Sequence, residues 1–267
     1  WDDALDVWGV HGVGGVIGEN GGGVTSSYST GLITGDGLVG GLVGMNEGMV
    51  MNSYSTGAVS GSYSVGGLVG ENCRGSVTSC YSTGAVSGIY YVGGLVGDNY
   101  YDSSVTNCYS TGVVTGRNEV GGLVGNNDYG TMINSFWDVE TSGMDVGYNK
   151  ATYELCTITN VVGKTTAEMR MVSTFADAPA SWDFGGGWWI NDGRDYPKLG
   201  WQPFGDLNND SWVNMVDFAV MLMSWQAFDG DANFNSVCDL SGDNMIDAAD
   251  LAMLAEMWLE GPQFVCE

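Results

Sequence analysis

Positive charge is scarce in this chain. Its 267 residues include 7 Lys and Arg against 32 Asp and Glu, which gives a formal net charge of −25 at pH 7. A surface this acidic repels phosphate backbones, so the composition argues against nucleic-acid binding. No apolar run approaches the roughly 18 residues of a bilayer-spanning helix, so the sequence predicts no membrane span. Because the chain begins at Trp1, without Met or a leader, we expect it to be a piece of a longer protein.

Glycine, by contrast, occurs 44 times and punctuates an internal repeat. Each of five successive units carries an aromatic residue (Tyr28, Tyr54, Tyr81, Tyr109, Phe136), an Asn (Asn20, Asn46, Asn72, Asn99, Asn127) and a β-branched residue (Val24, Val50, Val77, Val105, Ile133). A period of this length is typical of a solenoid. Each unit has three short β-prone runs and no helical periodicity, which predicts a right-handed parallel β-helix with coils about 4.8 Å apart.

Residues at equivalent positions should form ladders along this β-helix. We expect the Asn ladder to satisfy backbone groups at a corner through stacked amides. Strand parity predicts that Val77 and Tyr81 point inward and that Cys80 points outward.

The repeat also carries a family resemblance. Gly-Leu-Val-Gly occurs at 41–44, 67–70, 94–97 and 122–125, and Tyr-Ser-Thr-Gly follows in four units. The units, over roughly residues 16–143, resemble the GLUG repeat of bacterial surface proteins, which include adhesins. The resemblance implies a surface or adhesive role but no particular ligand.

A non-repetitive, aromatic-rich segment follows, over residues 144–203. Thr165 and Glu168 form a capping-box pattern that predicts a short helix to about Phe175. Its tryptophans, which include Trp182 and Trp188, fit either a cap on the open end of the solenoid or a platform that stacks on sugar rings.

The chain from residue 199 to its end contains no Lys or Arg and has two calcium-type loops. Oxygen side chains occupy positions 1, 3, 5, 9 and 12 of both loops, which is the spacing of EF-hand calcium ligands. The predicted ligands are Asp206, Asn208, Asp210, Asn214 and Asp217 in the first loop, and Asp239, Ser241, Asp243, Asp247 and Asp250 in the second. The main-chain carbonyls of Trp212 and Met245, at position 7, add one ligand each. The spacing predicts two Ca²⁺ sites, whose binding we expect to be coupled to folding.

Paired loop–helix units of this kind, over about residues 205–260, resemble a type I dockerin domain. The resemblance implies calcium binding and docking onto a cohesin module of a scaffold or cell-surface protein. Positions 10 and 11, which help to choose the partner in dockerins, are Met215 and Val216 in the first loop and Ala248 and Ala249 in the second. Helices are predicted at 218–225 and 251–259. The turn Gly of position 6 is replaced by Ser211 and Asn244.

The six cysteines leave several pairings open. Cys238 and Cys266 flank the second loop and its helix, so a disulfide there would clamp the module. Cys80 and Cys108 are either within disulfide reach on adjacent coils or are free thiols on a surface. Cys73 and Cys156 have no evident partner.

The single histidine, His11, lies in a run that resembles the signature of ammonium transporters. The run covers about residues 2–15 and has no membrane segments around it, so we do not carry a transport role over.

These observations predict four segments: an irregular start (1–15), a GLUG solenoid (16–143), an aromatic cap (144–203) and a dockerin-like calcium module (204–267). The favoured function is that of a secreted or cell-surface, non-catalytic binding or adhesion protein, anchored through cohesin and with polysaccharide as a further possible ligand. The alternative is a fragment of a cellulosome-type polysaccharide-degrading enzyme, a lyase or a glycoside hydrolase. The solenoid acids are scattered singly along the sequence, and we expect no pair on one face, which disfavours catalysis.

Overall fold

A computed structural model describes residues 12–150 and 156–261. His11 and Cys266, and with them most of the transporter-like run and the suggested Cys238–Cys266 bridge, lie outside the described residues. The chain divides into two compact units, one of residues up to 169 with 174–182, and one of residues 170–173 with those from 183 onward. The predicted cap, 144–203, thus contributes to both units.

The first unit is a parallel β-solenoid of four sheets. Sheet 1 contains Val13–Gly14, Gly37–Gly40, Tyr63–Gly66, Tyr90–Gly93 and Asn118–Gly121. Sheet 2 contains Ile17–Asn20, Val43–Asn46, Val69–Cys73, Val96–Tyr100, Val124–Asp128 and Tyr148–Lys150. Sheet 3 contains Gly23–Thr25, Tyr28–Ser29, Met49–Met51, Tyr54–Ser55, Ser76–Thr78, Tyr81–Ser82, Ser104–Thr106, Tyr109–Ser110, Thr131–Asp138 and Thr157–Lys164. Sheet 4 contains Ile33–Thr34, Val59–Ser60, Val86–Ser87 and Val114–Thr115.

A complete coil therefore has five short strands rather than the three that the sequence predicts. One additional break follows from a residue in the left-handed region, since Asn52 (φ 50°) separates Met49–Met51 from Tyr54–Ser55. Among the described residues, the buried apolar side chains of the solenoid include one cluster around the Leu-Val pairs at sheet 2 and one of valines between sheets 1 and 4.

The predicted ladders form, with one shift in register. The Asn side chains are stacked amide to amide, with Nδ2–Oδ1 distances of 2.6 to 2.8 Å from Asn20 through Asn127. The tyrosine rings from Tyr28 through Tyr109 also stack, with centroids 4.8 to 5.3 Å apart. The last rung of the Val ladder is Met132, which pairs with Val105, and not Ile133, which pairs with Thr106.

The predicted orientation of Cys80 is wrong. Cys80 and Cys108 are free thiols that are fully buried in the same apolar cluster as Val77. Ser79, with a φ of 52°, interrupts the strand between Val77 and Cys80, so the alternation on which parity counting depends does not hold. The sequence left two alternatives for Cys80 and Cys108, a disulfide between them or free thiols on a surface. The structure shows neither, since both are free thiols in the interior.

Strand pairing continues beyond residue 143, where the sequence repeat is lost. Tyr148–Lys150 and Thr157–Lys164 add parallel strands to sheets 2 and 3, since backbone hydrogen bonds need no repeated side chains. Phe175 and Trp182 then contact Phe136, the last aromatic rung, at centroid distances of 5.3 and 5.8 Å. These contacts favour the cap interpretation for residues 174–182. Trp182 and Trp188 are buried, so neither presents a face to a sugar.

Short helices join and follow the strands. Helix α1 is Val139–Ser142, α2 is Thr166–Met169 and α3 is Val172–Ala176. The single helix predicted from Thr165 to Phe175 is interrupted because the carbonyl of Arg170 accepts from the Gly193 N–H, while the Val172 N–H donates to Asp192.

The second unit combines a small antiparallel sheet, Trp188–Trp189 with Lys198–Leu199, and two longer helices. Helix α4 is Met215–Met223 and α5 is Ala248–Glu256, with a 3₁₀ turn at Ser236–Cys238. Both helices begin three residues before the predicted starts. Among the described residues, no helix is long and apolar enough to cross a membrane.

Candidate calcium module

The two predicted loops, 206–217 and 239–250, fold with the same hydrogen-bond scheme. The carboxylate at position 1 accepts from the backbone N–H groups of positions 5 and 6, at 2.8 to 3.1 Å. The carboxylate at position 12 accepts from positions 3 and 9, at 2.8 to 3.2 Å. Position 5 accepts from position 7, at 2.9 Å. The residues at positions 1, 5 and 12 are Asp206, Asp210 and Asp217, and Asp239, Asp243 and Asp250.

Both loops also turn at the same places. Ser211 and Asn244, at position 6, have φ values of 66° and 68°, and Asn209 and Gly242, at position 4, have values of 59° and 80°. The left-handed turn that Gly usually makes at position 6 is therefore present, although neither residue is Gly.

The position-9 residues explain the early start of the helices. Asn214 and Asp247 are N-caps of α4 and α5, and each forms a capping box with the position-12 carboxylate. Positions 10 and 11 consequently lie in the first helical turn instead of in the loop.

The two halves are linked through position 8. Val213 exchanges backbone hydrogen bonds with Leu259 and Glu260, which follow α5. Ile246 does the same with Gln226 and Ala227, which follow α4. Each loop is thus tied to the end of the other loop's helix, above an apolar cluster that includes Met221 and Leu254.

The carboxylates at positions 1 and 12 are buried in both loops, at 0 to 1% exposure. Burial raises the pKa of Asp206 to about 6, against the lowering effect of Lys198 and of the backbone N–H donors. Burial, followed by the charge of Asp250, raises the pKa of the Cys238 thiol to about 12. Four buried carboxylates with few cations nearby form a costly arrangement, which a divalent cation would relieve.

The donor set fits calcium. All the predicted ligand side chains of the two loops offer an oxygen atom, which is the kind of ligand that Ca²⁺ prefers. The main-chain carbonyls of Trp212 and Met245, at position 7, offer one further oxygen each. Within the part of the chain that the structure describes, no three His, Cys, Asp or Glu side chains converge on one point, since the loop carboxylates are turned toward backbone N–H groups. The backbone turns required of the loop are nevertheless in place in both halves.

The two cations that lie closest to the loops come from the segment before them. Arg194 donates from Nε to Oδ2 of Asp239 at 3.0 Å, and from Nη2 to the Gly242 carbonyl and Asn244 Oδ1 at 3.1 and 3.0 Å. Lys198 donates to the main-chain oxygen of Asp206 at 2.9 Å and forms an ion pair with Asp195. Sequence reasoning assigned both residues to the cap and missed these contacts.

The exposed faces of the two helices differ in character. Helix α4 exposes Met215, Val216, Ala219, Leu222 and Met223, and Met215 and Met223 are 63 and 80% exposed. The equivalent residues of α5, 33 positions later, are Ala248, Ala249, Ala252, Ala255 and Glu256, which are also exposed. The predicted partner residues therefore all reach the surface, but only α4 offers a broad apolar face.

Two acidic side chains lie next to each other on the solenoid. Glu71 and Asp98 are register neighbours on adjacent coils of sheet 2, so an acid pair does share one face, contrary to the sequence prediction. Burial raises the pKa of Asp98 to about 7, with a smaller contribution from Glu71, while the Asn126 amide at 2.9 Å opposes the rise. Burial and the charge of Glu47 raise the pKa of Glu71. Both acids occupy the position just before the ladder Asn, and aligning that position would have revealed the pair.

Comparison with known families agrees with this geometry. The chain contains three GLUG motifs, at residues 35–60, 61–87 and 88–115. It also contains a type I dockerin domain, matched over residues 204–258. Neither model describes a catalytic domain. Searches of curated proteins and of solved structures returned no match.

Proposed function

We propose that the chain is an extracellular, non-catalytic component whose C-terminal module binds two Ca²⁺ ions and docks onto a cohesin module, while the solenoid presents a rigid surface. The observation that carries the proposal is the repeated hydrogen-bond scheme of the two loops, with all four position-1 and position-12 carboxylates buried. The dockerin match supports docking, and the GLUG motifs support a surface role.

The cohesin surface that we propose is the exposed face of α4. Flexible methionines with adjacent aliphatic side chains adapt well to a partner and contribute much apolar area. Met215, Val216, Leu222 and Met223 supply this area, whereas the alanines of α5 supply little. Ala248 and Ala249 belong to the same kind of surface, and we assign them the weaker share.

A binding experiment tests this assignment with matched variants. Met215→Asp and Ala248→Asp place the same charge at the same position of each loop, on exposed residues. We expect the intact chain to bind an immobilised type I cohesin in Ca²⁺ and to lose binding in EDTA. Met215→Asp should weaken binding at least tenfold, and Ala248→Asp less than threefold. Equal losses would refute the preference for α4, and binding that persists in EDTA would refute calcium-dependent docking.

The Glu71–Asp98 pair favours a second candidate, action on a polysaccharide. An acid with a pKa near 7 beside a second carboxylate is the kind of group that protonates a glycosidic oxygen. Release of reducing ends or unsaturated sugars by the chain, abolished by Asp98→Asn, would support it. If the chain releases no reducing ends or unsaturated sugars from a panel of plant and bacterial polysaccharides, binding is the one proposed function that remains.

A further inference from the structure

The segment that precedes the dockerin match supplies the cations that the loops lack. From residue 199 onward the sequence has no Lys or Arg. Lys198 contacts Asp206, the first residue of the first loop, and Arg194 contacts Asp239, the first residue of the second loop. The two contacts are not equivalent. Arg194 pairs with the carboxylate of Asp239, whereas Lys198 reaches the main-chain oxygen of Asp206.

Arg194 contacts the second loop at several points, and its side chain is mostly buried. Its side chain is 21% exposed and Asp239 is fully buried, with 2.9 Å between Nη2 and Oδ2. The same guanidinium bonds Gly242 and Asn244, the two residues that make the left-handed turns of the second loop. The Arg194 guanidinium therefore does two things at once. It holds the backbone of the second loop in its turned conformation, and it neutralises the carboxylate of Asp239.

We infer that Arg194 is an internal counter-ion of the second calcium loop, which holds that loop folded without metal and weakens its affinity for Ca²⁺. This inference rests on the proposed calcium binding. The physical reason is that a fixed positive charge in hydrogen-bond contact with a ligand carboxylate repels an arriving divalent cation. At the first loop, among the described residues, Lys198 bonds the main-chain oxygen of Asp206 and not its carboxylate, so we expect the two sites to have unequal affinities.

The inference also changes the boundary of the working module. The dockerin match begins at residue 204, but Arg194 and Lys198 lie before it and belong to the same compact unit. A chain cut at residue 204 would lose both cations, and the Arg194 guanidinium would no longer compete with Ca²⁺ for Asp239 in the second loop.

The test compares the intact chain with Arg194→Gln and with Arg117→Gln. Arg117 is an exposed arginine of the solenoid, so its substitution makes the same change in net charge away from the loops. Ca²⁺ binding is measured by calorimetry at physiological ionic strength, and thermal unfolding of the metal-free chain is followed in EDTA by the helical circular dichroism signal. Arg194→Lys, which keeps the charge but not the forked geometry, is the conservative variant.

We expect Arg194→Gln to tighten the weaker site at least tenfold, or to reveal a second site, while the other site changes less than threefold. In EDTA the same variant should lower the unfolding temperature of the helical signal by about 5 °C, since Asp239 loses its buried partner. Arg194→Lys should give a Ca²⁺ affinity and an unfolding temperature between those of the unaltered chain and Arg194→Gln. Arg117→Gln should change neither the affinity nor the unfolding temperature.

A purely structural role would weaken Ca²⁺ binding together with stability, so unchanged or weaker binding in Arg194→Gln overturns the inference. Two sites of equal affinity in the unaltered chain, unaffected by Arg194→Gln, would overturn it and leave the proposed function intact. No Ca²⁺ binding in any variant would overturn both.

Discussion

Asn72, a middle rung of the Asn ladder, offers a quantitative test of how the solenoid is held together. Its Nδ2 donates to the oxygens of Gly75, Ser104 and Asn99 at 2.8 to 3.2 Å, and its Oδ1 accepts from Asn46 at 2.7 Å. The side chain is fully buried, so water cannot replace these partners. Substitution by Ala should therefore leave the Asn99 oxygen without its donor and weaken the bonding of the other partners.

The cost adds one orphaned group to three weakened hydrogen bonds. The buried Asn99 oxygen left without its donor costs about 1–3 kcal/mol and each weakened bond about 0.5–1 kcal/mol, so we expect Asn72→Ala to lower the free energy of unfolding by about 3–5 kcal/mol. Asn20 is the matched control, because it is the first rung among the described residues and its side chain bonds one ladder neighbour there, Asn46. Asn20→Ala should cost about 1–2 kcal/mol by the same reasoning. Urea unfolding followed by the β-sheet signal measures both values. A loss below about 1 kcal/mol for Asn72→Ala, or equal losses, would refute the ladder as a main stabilising element.

Three further predictions concern charge, metal and thiols. Because the folded-state pKa of Asp98 is about 7 and lies above its ordinary 3.8, the carboxyl favours its protonated form in the folded chain, and stability should fall as pH rises from about 4 to 7. Asp98→Asn should therefore raise the free energy of unfolding by about 2–4 kcal/mol at pH 8 and leave it nearly unchanged at pH 4, and a gain equal at both pH values in urea titrations would count against this origin. Asp217→Asn should remove one of two Ca²⁺ sites in calorimetry and Asp250→Asn the other, whereas loss of both sites from either change would show that the loops do not bind independently. Burial raises the pKa of Cys80 well above its ordinary value, so Cys80 and its neighbour Cys108 should resist maleimide labelling until the chain unfolds, and rapid labelling of the native chain would contradict their burial.

The parts of the fold that the sequence predicts well are those in which one residue type recurs at one position. The Asn and Tyr ladders follow directly from the period, because parallel in-register strands place equivalent residues above one another. The matching turns of the two loops, 206–217 and 239–250, were predictable for a similar reason, since their oxygen-bearing residues repeat after 33 residues. In both cases the repetition supplies the long-range contact that a single copy would leave unknown.

The errors arise where the backbone departs from regular geometry. Ser79 in the left-handed region reversed the side on which Cys80 was expected, and the position-9 caps moved both helix starts into the loops. The contacts of Arg194 depend on tertiary packing and cannot be read from a motif. The Glu71–Asp98 pair lies at the repeat position just before the ladder Asn, where the residue type varies from coil to coil, so only an alignment of that position reveals it.

We propose that Ca²⁺ binding at two sites prepares the C-terminal module for docking. Calorimetric titration of the intact, metal-free chain with CaCl₂ measures this binding, with helical circular dichroism recorded on the same samples. We predict two ions per chain, with unequal affinities and a gain or tightening of helix. No heat and no change in helix up to millimolar Ca²⁺ would contradict the claim and leave a capped β-solenoid with an acidic helical end.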